Sequence, residues 1–129
     1  MIVRVRPAVL IIEDDATIAH MLRKIFESWY WDTLNAHTVS EGIAALSPDL
    51  DLIVLDLMLP DGDGIEVLKA ARAQALPAKV IVSTAKDVST LSKVLALHPD
   101  QVLIKPFLFE PLRSLADDIA GTWKPTRVV

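Results

Sequence analysis

At 129 residues, 52% of them hydrophobic, the chain is long enough to bury the core of one domain, and its lack of cysteine excludes a disulfide scaffold and any thiolate metal site. A net charge of −4 argues against a nucleic-acid footprint, and no apolar run approaches the ~20 residues that a membrane-spanning helix needs. Together with the absence of a signal-peptide pattern, these features fit a cytoplasmic protein with neither nucleic acid nor membrane as a direct partner.

Along the chain, five short apolar runs alternate with longer segments of helical period, the pattern of βα units around a parallel sheet. The first run, Ala8 to Ile12, is apolar at every position, as a strand covered on both faces should be. Behind it, Ile18, Leu22, Ile25, Phe26 and Trp29 recur at helical spacing, and Trp29-Tyr30-Trp31 reads as a hydrophobic plug over the helix end. A weaker strand, roughly Thr33 to Ala36, belongs toward a sheet edge, and Ser40 is placed to cap the helix after it. Leu50 to Leu55 makes the third strand, followed by turn chemistry in Asp61-Gly62-Asp63-Gly64 and a helical stripe of Ile65, Leu68 and Ala71. Lys79 to Ser83 is the fourth strand; Val88, Leu91 and Leu95 mark the next helix, and Pro77 and Pro99 close the third and fourth helical segments. Gln101 to Ile104 is the fifth strand, and Pro111 suits the first turn of a last helix carrying Leu112, Leu115, Ala116 and Ile119. From Gly121 onward the sequence reads as a frayed end, with Lys124 and Arg127 in a solvated tail. One domain therefore fills residues 1–129, with a core over about 7–121 and a tail over 122–129.

In an open parallel sheet, ligands bind beyond the carboxyl ends of the strands. Those ends carry Glu13-Asp14-Asp15, Asp56, Ser83-Thr84 and Lys105-Pro106. Two carboxylates about 4 Å apart repel by roughly 4 kcal/mol at an effective dielectric of 20, and Lys105 alone cannot offset three or four of them. A divalent cation resolves the conflict, and a site of carboxylate and carbonyl oxygens suits Mg²⁺ held together with a phosphate. Singly, each residue is ordinary: Asp15 and Thr84 as helix caps, Lys105 as a surface lysine. Complementary chemistry on four strand ends is what makes a site of them. His20, His37 and His98 lack metal-site spacing and read as solvated or capping residues.

In that order, Leu10-Ile11-Ile12-Glu13-Asp14-Asp15, Leu55-Asp56-Leu57-Met58-Leu59-Pro60-Asp61-Gly62-Asp63-Gly64, Ser83-Thr84-Ala85 and Lys105-Pro106-Phe107 resemble the motifs of the response-regulator receiver family. The resemblance spans nearly the whole chain. It implies an α/β fold, the flavodoxin-like doubly wound (βα)5 three-layer sandwich, with a parallel five-stranded sheet of order 2-1-3-4-5. It also implies that Asp56 attacks the phosphorus of a phosphohistidine on a histidine kinase or histidine phosphotransfer protein. By the same resemblance Asp14, Asp56 and the backbone carbonyl of Met58 hold Mg²⁺, and Glu13 reaches it through water. Asp15 stands behind them or acts as a cap. Lys105 pairs with a phosphoryl oxygen, the Thr84 hydroxyl moves to another as a switch, and the Lys105–Pro106 bond is cis. Such a domain catalyses only its own phosphorylation and dephosphorylation, passes its signal to a downstream protein or output domain, and is a monomer or weak homodimer.

Two departures from the family pattern bear on output. Val102 stands where many receivers have an aromatic residue that rotates with the switch, and Leu97-His98-Pro99-Asp100 replaces a small Gly-Ala turn. Both point to signalling through another surface than the usual one. Two other functions compete with the phosphoacceptor. A phosphohydrolase of the haloacid-dehalogenase type needs a second acid two positions beyond Asp56, where Met58 stands, and a degenerate receiver would act as an unphosphorylated scaffold.

Overall fold

The computed structural model describes residues 2–84, 88–105 and 109–128. The element order is β1 (Ile2–Arg4), β2 (Ala8–Ile12), α1 (Ala16–Ser28), β3 (Asp32–Ala36), α2 (Val39–Ala44), β4 (Leu52–Asp56), β5 (Met58–Leu59), β6 (Gly62–Asp63), α3 (Ile65–Ala73), β7 (Lys79–Thr84), α4 (Val88–Leu95), β8 (Gln101–Ile104), α5 (Phe109–Thr122) and β9 (Thr126–Val128). Five strands form one parallel sheet in the order β3-β2-β4-β7-β8, which is 2-1-3-4-5 when those five alone are counted. The flavodoxin-like doubly wound architecture is thus present, with the weak second strand at an edge.

Strand alternation sorts the core into two layers. Leu10, Ile12, Ile53, Leu55, Val80 and Val82 face Val67, Leu68 and Ala71 of α3 and Val94 of α4, with Val39 of α2 partly buried against them. Val9, Ile11, Leu52, Val54, Ile81 and Leu103 face Leu22 and Phe26 of α1 and Leu112 and Ala116 of α5. The three central strands, β2, β4 and β7, are apolar at successive positions because both of their faces are covered, whereas the edge strand β3 is mostly exposed.

Helix boundaries follow local chemistry. Asp15 Oδ1 accepts from Thr17 N at 2.9 Å and Ile18 N at 3.0 Å, so it caps α1. That helix ends in a Schellman turn: Tyr30 sits at φ 65 and Trp31 N donates to Phe26 O at 3.0 Å. Phe26 is then packed edge-on by Trp29 and Trp31 at ring separations of 5.2 and 5.5 Å. Trp29 and Trp31 form the expected plug, whereas Tyr30 is 77% exposed, because the left-handed position turns it outward.

Two expectations are corrected. The cap of α2 is Thr38 rather than Ser40: Thr38 is extended, and its Oγ1 accepts from Glu41 N at 3.0 Å, so the helix starts ahead of Ser40. The C-terminal segment is not a frayed end. Helix α5 continues through Thr122, and β9 pairs antiparallel with β1, Ile2 opposite Val128 and Arg4 opposite Thr126. Arg4 fastens this ribbon to the amino edge of the main sheet, donating to Asp51 Oδ2 at 2.6 Å while its guanidinium lies 5.7 Å from the Trp123 ring centre. A two-stranded ribbon is marginal alone, so these side-chain contacts supply what the short ladder lacks. The Lys105–Pro106 bond lies outside the described residues, as do Ala85 and Phe107 of the motifs.

Candidate functional site

Parallel register brings the carboxyl ends of β2, β4 and β7 to one level, since Ile12 pairs with Leu55 and Asp56 pairs with Ser83. Glu13 follows β2 directly, and its backbone N donates to Ala36 O at 3.0 Å, which holds the turn against β3. Ligand oxygens of Glu13, Asp14 and Asp56 lie within 4.8 Å of one another. Glu13 and Asp56 are 3% and 4% exposed, whereas Asp14 faces solvent.

Lys105, just past β8, reaches across the sheet edge to this cluster. Its Nζ donates to Asp56 Oδ2 at 3.1 Å and to Glu13 Oε1 at 3.4 Å. The other Asp56 oxygen, Oδ1, accepts from the backbone N of Met58 at 3.0 Å. That contact depends on the β5–β6 hairpin, which Gly64 N closes by donating to Leu57 O at 2.8 Å. A β-carbon at Gly64 would overlap the Asp56 carbonyl oxygen and come within 2.8 Å of Leu57 Cα, so the close approach requires glycine. Thr84 ends β7 buried, and its carbonyl accepts from Lys105 N at 2.8 Å. Met58 is 65% exposed and lies on the rim.

The result is an open groove of about 440 Å³ lined by Glu13, Asp14, Asp15, Ile18, Asp56, Met58, Leu59, Pro60 and Lys105. Its electrostatics are unbalanced. Burial, reinforced by a hydrogen bond to Asp56 and by that group's charge, pushes the Glu13 carboxyl up to about 8 against the opposing pull of Lys105. Burial works to lower the Lys105 ammonium, but hydrogen bonds and charge from Asp56 and Glu13 outweigh it and hold the group above its ordinary value. One ammonium facing three carboxyl groups leaves a net negative oxygen cage, and the hard donors present fit a small divalent cation.

Sequence reasoning named Glu13, Asp14, Asp56, Met58, Thr84 and Lys105, and all six sit at this one edge. Three further residues contribute that the sequence presents otherwise: Asp61 as turn chemistry, His37 as a solvated or capping residue, and Ser83 as a polar strand end with no separate part. Asp61, at the hairpin tip, accepts from Val39 N at 2.7 Å and Ser40 N at 3.1 Å, which ties the loop after Asp56 to α2. His37 Nδ1 lies 3.1 Å from the Glu13 carbonyl oxygen. Ser83, named with Thr84 at the polar end of the fourth strand, is buried in register with Asp56.

A family model described as the response regulator receiver domain matches residues 9–117. The chain is 35% identical over 101 residues to the transcriptional regulatory protein CpxR of Escherichia coli K12, an alignment covering 77% of this chain and 43% of that protein. It is 37% identical over 102 residues to the alkaline phosphatase synthesis transcriptional regulatory protein PhoP of Bacillus subtilis 168, covering 77% and 42% respectively. The chain therefore spans less than half the length of these curated relatives. Among solved structures, the receiver domain of the Francisella response regulator 1452 is 30% identical with a TM-score of 0.78, covering 92% of this chain and 100% of that one. A two-component response regulator from Clostridium difficile is 25% identical with a TM-score of 0.79, covering 91% and 98%.

Proposed function

Since the chain belongs to the response regulator receiver domain family, we propose that it is a phosphoacceptor module of a two-component or phosphorelay system, with Asp56 as the acceptor. The observation that carries this reading is the Asp56 carboxylate itself: buried, held through Oδ1 by Met58 N and through Oδ2 by Lys105, yet opening on a groove beside Glu13 and Asp14.

An Asp56 oxygen attacks the phosphorus of a phosphohistidine on a histidine kinase or phosphotransfer protein. The new P–O bond forms as the P–N bond breaks, and the imidazole leaves with the electron pair. Met58 N–H and Lys105 fix the carboxylate in advance, so orientation needs no reorganisation at the moment of transfer. Lys105 then pairs with the incoming phosphoryl oxygens, and Thr84 offers a hydroxyl to them. Asp14, Asp56 and the Met58 carbonyl would hold Mg²⁺, with Glu13 reaching it through water; when bound, that ion neutralises charge on the transferring group. The whole of residues 1–129 acts as one receiver unit in the cytoplasm, and its output passes to a downstream protein or output domain. The transcriptional role in the names of CpxR and PhoP belongs to those proteins.

Incubation with acetyl phosphate and Mg²⁺ followed by intact-mass measurement tests the reading. One phosphoryl group, stable in acid and labile in base, is expected on the wild type and on no Asp56→Asn molecule. Absence of the adduct with acetyl phosphate and with histidine kinases alike would leave the scaffold reading in its place.

A further inference from the structure

Ser83 ends the apolar run of β7 one place before Thr84. Val80, Ile81 and Val82 before it are 0–1% exposed, and Ser83 itself is 4% exposed. Among the described residues its Oγ has no hydrogen-bond partner. Burying an unpaired hydroxyl destabilises a fold, and native proteins retain few such groups without a reason. An alanine or valine would complete the apolar strand at no such cost.

Its position suggests the reason. Ser83 is in register with Asp56 on the neighbouring strand, so the two side chains leave the same face of the sheet with backbones about 4.8 Å apart. That face is the one carrying Ile81, Val54 and Leu103. In the sheet order, β7 lies between β4 and β8. Lys105, leaving β8, must cross the end of β7 to reach Asp56 Oδ2 at 3.1 Å. The crossing passes the end of β7, where Thr84 stands last and Ser83, one place before it, is in register with the Asp56 that the proposed reaction modifies.

In the unmodified protein the Asp56 carboxylate is already engaged, by Met58 N on one oxygen and Lys105 on the other. Esterification by a phosphoryl group changes the acceptors: the phosphoryl oxygens carry the charge and draw Lys105 outward, and the acyl carbonyl loses its cationic partner. We infer that Ser83 is a positioning residue of the phosphorylated state, whose hydroxyl donates to the Asp56 carboxyl group when Lys105 turns to the phosphoryl oxygens. This rests on Asp56 being the phosphoacceptor. The hydroxyl is then unpaired in the resting form and paired in the modified form, so it biases the equilibrium toward modification.

The test uses the full chain with beryllofluoride and Mg²⁺ as the phosphoryl probe, comparing wild type, Ser83→Ala and Ser83→Thr. Without the probe, in EDTA, Ser83→Ala should melt at or above the wild-type temperature, because an unpaired buried hydroxyl has been removed. With the probe, its apparent Kd should rise about fivefold to tenfold, the effect of one hydrogen bond, while Ser83→Thr returns it to within about twofold of wild type. Opposite signs for melting and for probe binding are the signature that a merely structural serine would not give. Unchanged probe affinity in Ser83→Ala overturns the inference, as does a loss of resting-state stability large enough to account for the weaker binding. A wild type that takes neither beryllofluoride nor a phosphoryl group from acetyl phosphate would instead bring down the reading of Asp56, and this one with it.

Discussion

Glu13 is a carboxylic acid held at 3% exposure. Its carboxyl is raised to about 8 chiefly by burial, so between pH 4.5 and 8 the folded, metal-free protein binds a proton that the unfolded chain has released. Stability associated with this group is full below the ordinary value of 4.5 and is lost as pH rises through about 8. In EDTA, the denaturation midpoint of wild type should therefore fall relative to Glu13→Gln between pH 5 and pH 8. Added Mg²⁺ should oppose that fall, since metal binding favours the deprotonated oxygen set. Parallel pH profiles for the two proteins would rule the assignment out. The acids and Lys105 were legible in the sequence because each directly follows an apolar strand, where parallel topology leaves little choice of direction. Ser83 was legible as a polar strand end beside Thr84, but its separate part was not, because sequence does not show that its buried hydroxyl lacks a partner among the described residues.

Among the elements, α2 is the shortest of the helices and is capped from outside. Thr38 and Glu41 make a local capping pair, with Glu41 Oε2 accepting from His37 N at 3.0 Å, while Asp61 binds the N–H groups of Val39 and Ser40. Those backbone N–H groups, Val39 foremost, hold the Asp61 carboxyl below its ordinary value of 3.8. Its contribution is accordingly present above that value and is lost as pH falls through the lower folded one. Asp61→Asn should melt below wild type at pH 6 and converge with it in strong acid; a constant gap across pH would show that the charge is irrelevant. The part of Asp61 was not legible in sequence, because it lies 21 residues from Ser40 and only tertiary structure brings the two together.

Three helices end at non-glycine residues in the left-handed region: Tyr30, Ala75 and His98, at φ 65, 50 and 52. The turn after α4, conspicuous in sequence as Leu97-His98-Pro99-Asp100, is held by Arg72, which donates to Leu97 O at 3.2 Å and His98 O at 2.7 Å and lies 3.7 Å from Asp100. Ala75 is exposed and has no such clamp on its side chain, so relief of strain should dominate there. Ala75→Gly should stabilise by about 0.5–1 kcal/mol in urea denaturation, the steric cost of a left-handed residue less the entropy that glycine adds. A destabilised variant would mean that the turn is less strained than its dihedral implies.

At the scale of the whole molecule, the five-stranded sheet and both core layers were legible because the apolar runs are continuous and the helical stripes between them are clear. The terminal ribbon was not. Ile2–Arg4 and Thr126–Val128 are three residues each, too short for a periodic signal, and their pairing spans nearly the full length of the chain. What fastens the ribbon is Asp51, whose Oδ2 accepts from both Arg4 and Ala8 N, at 2.6 and 2.9 Å. Asp51→Ala should cost about 1–3 kcal/mol and speed amide exchange across β1 and β9 while leaving β4 and β7 protected. Uniform loss of protection would show that the ribbon is no separate unit.

The ribbon also places the first and last described residues side by side, with Ile2 opposite Val128, on the edge of the sheet away from Asp56. A linker of a few residues would close the molecule into a ring, and new ends could then be opened at the exposed turn of Pro48 and Asp49. Such a circular permutant keeps every strand neighbour of the parallel sheet and the whole acidic groove, so the order in which the ribosome delivers the units is separable from the architecture they form.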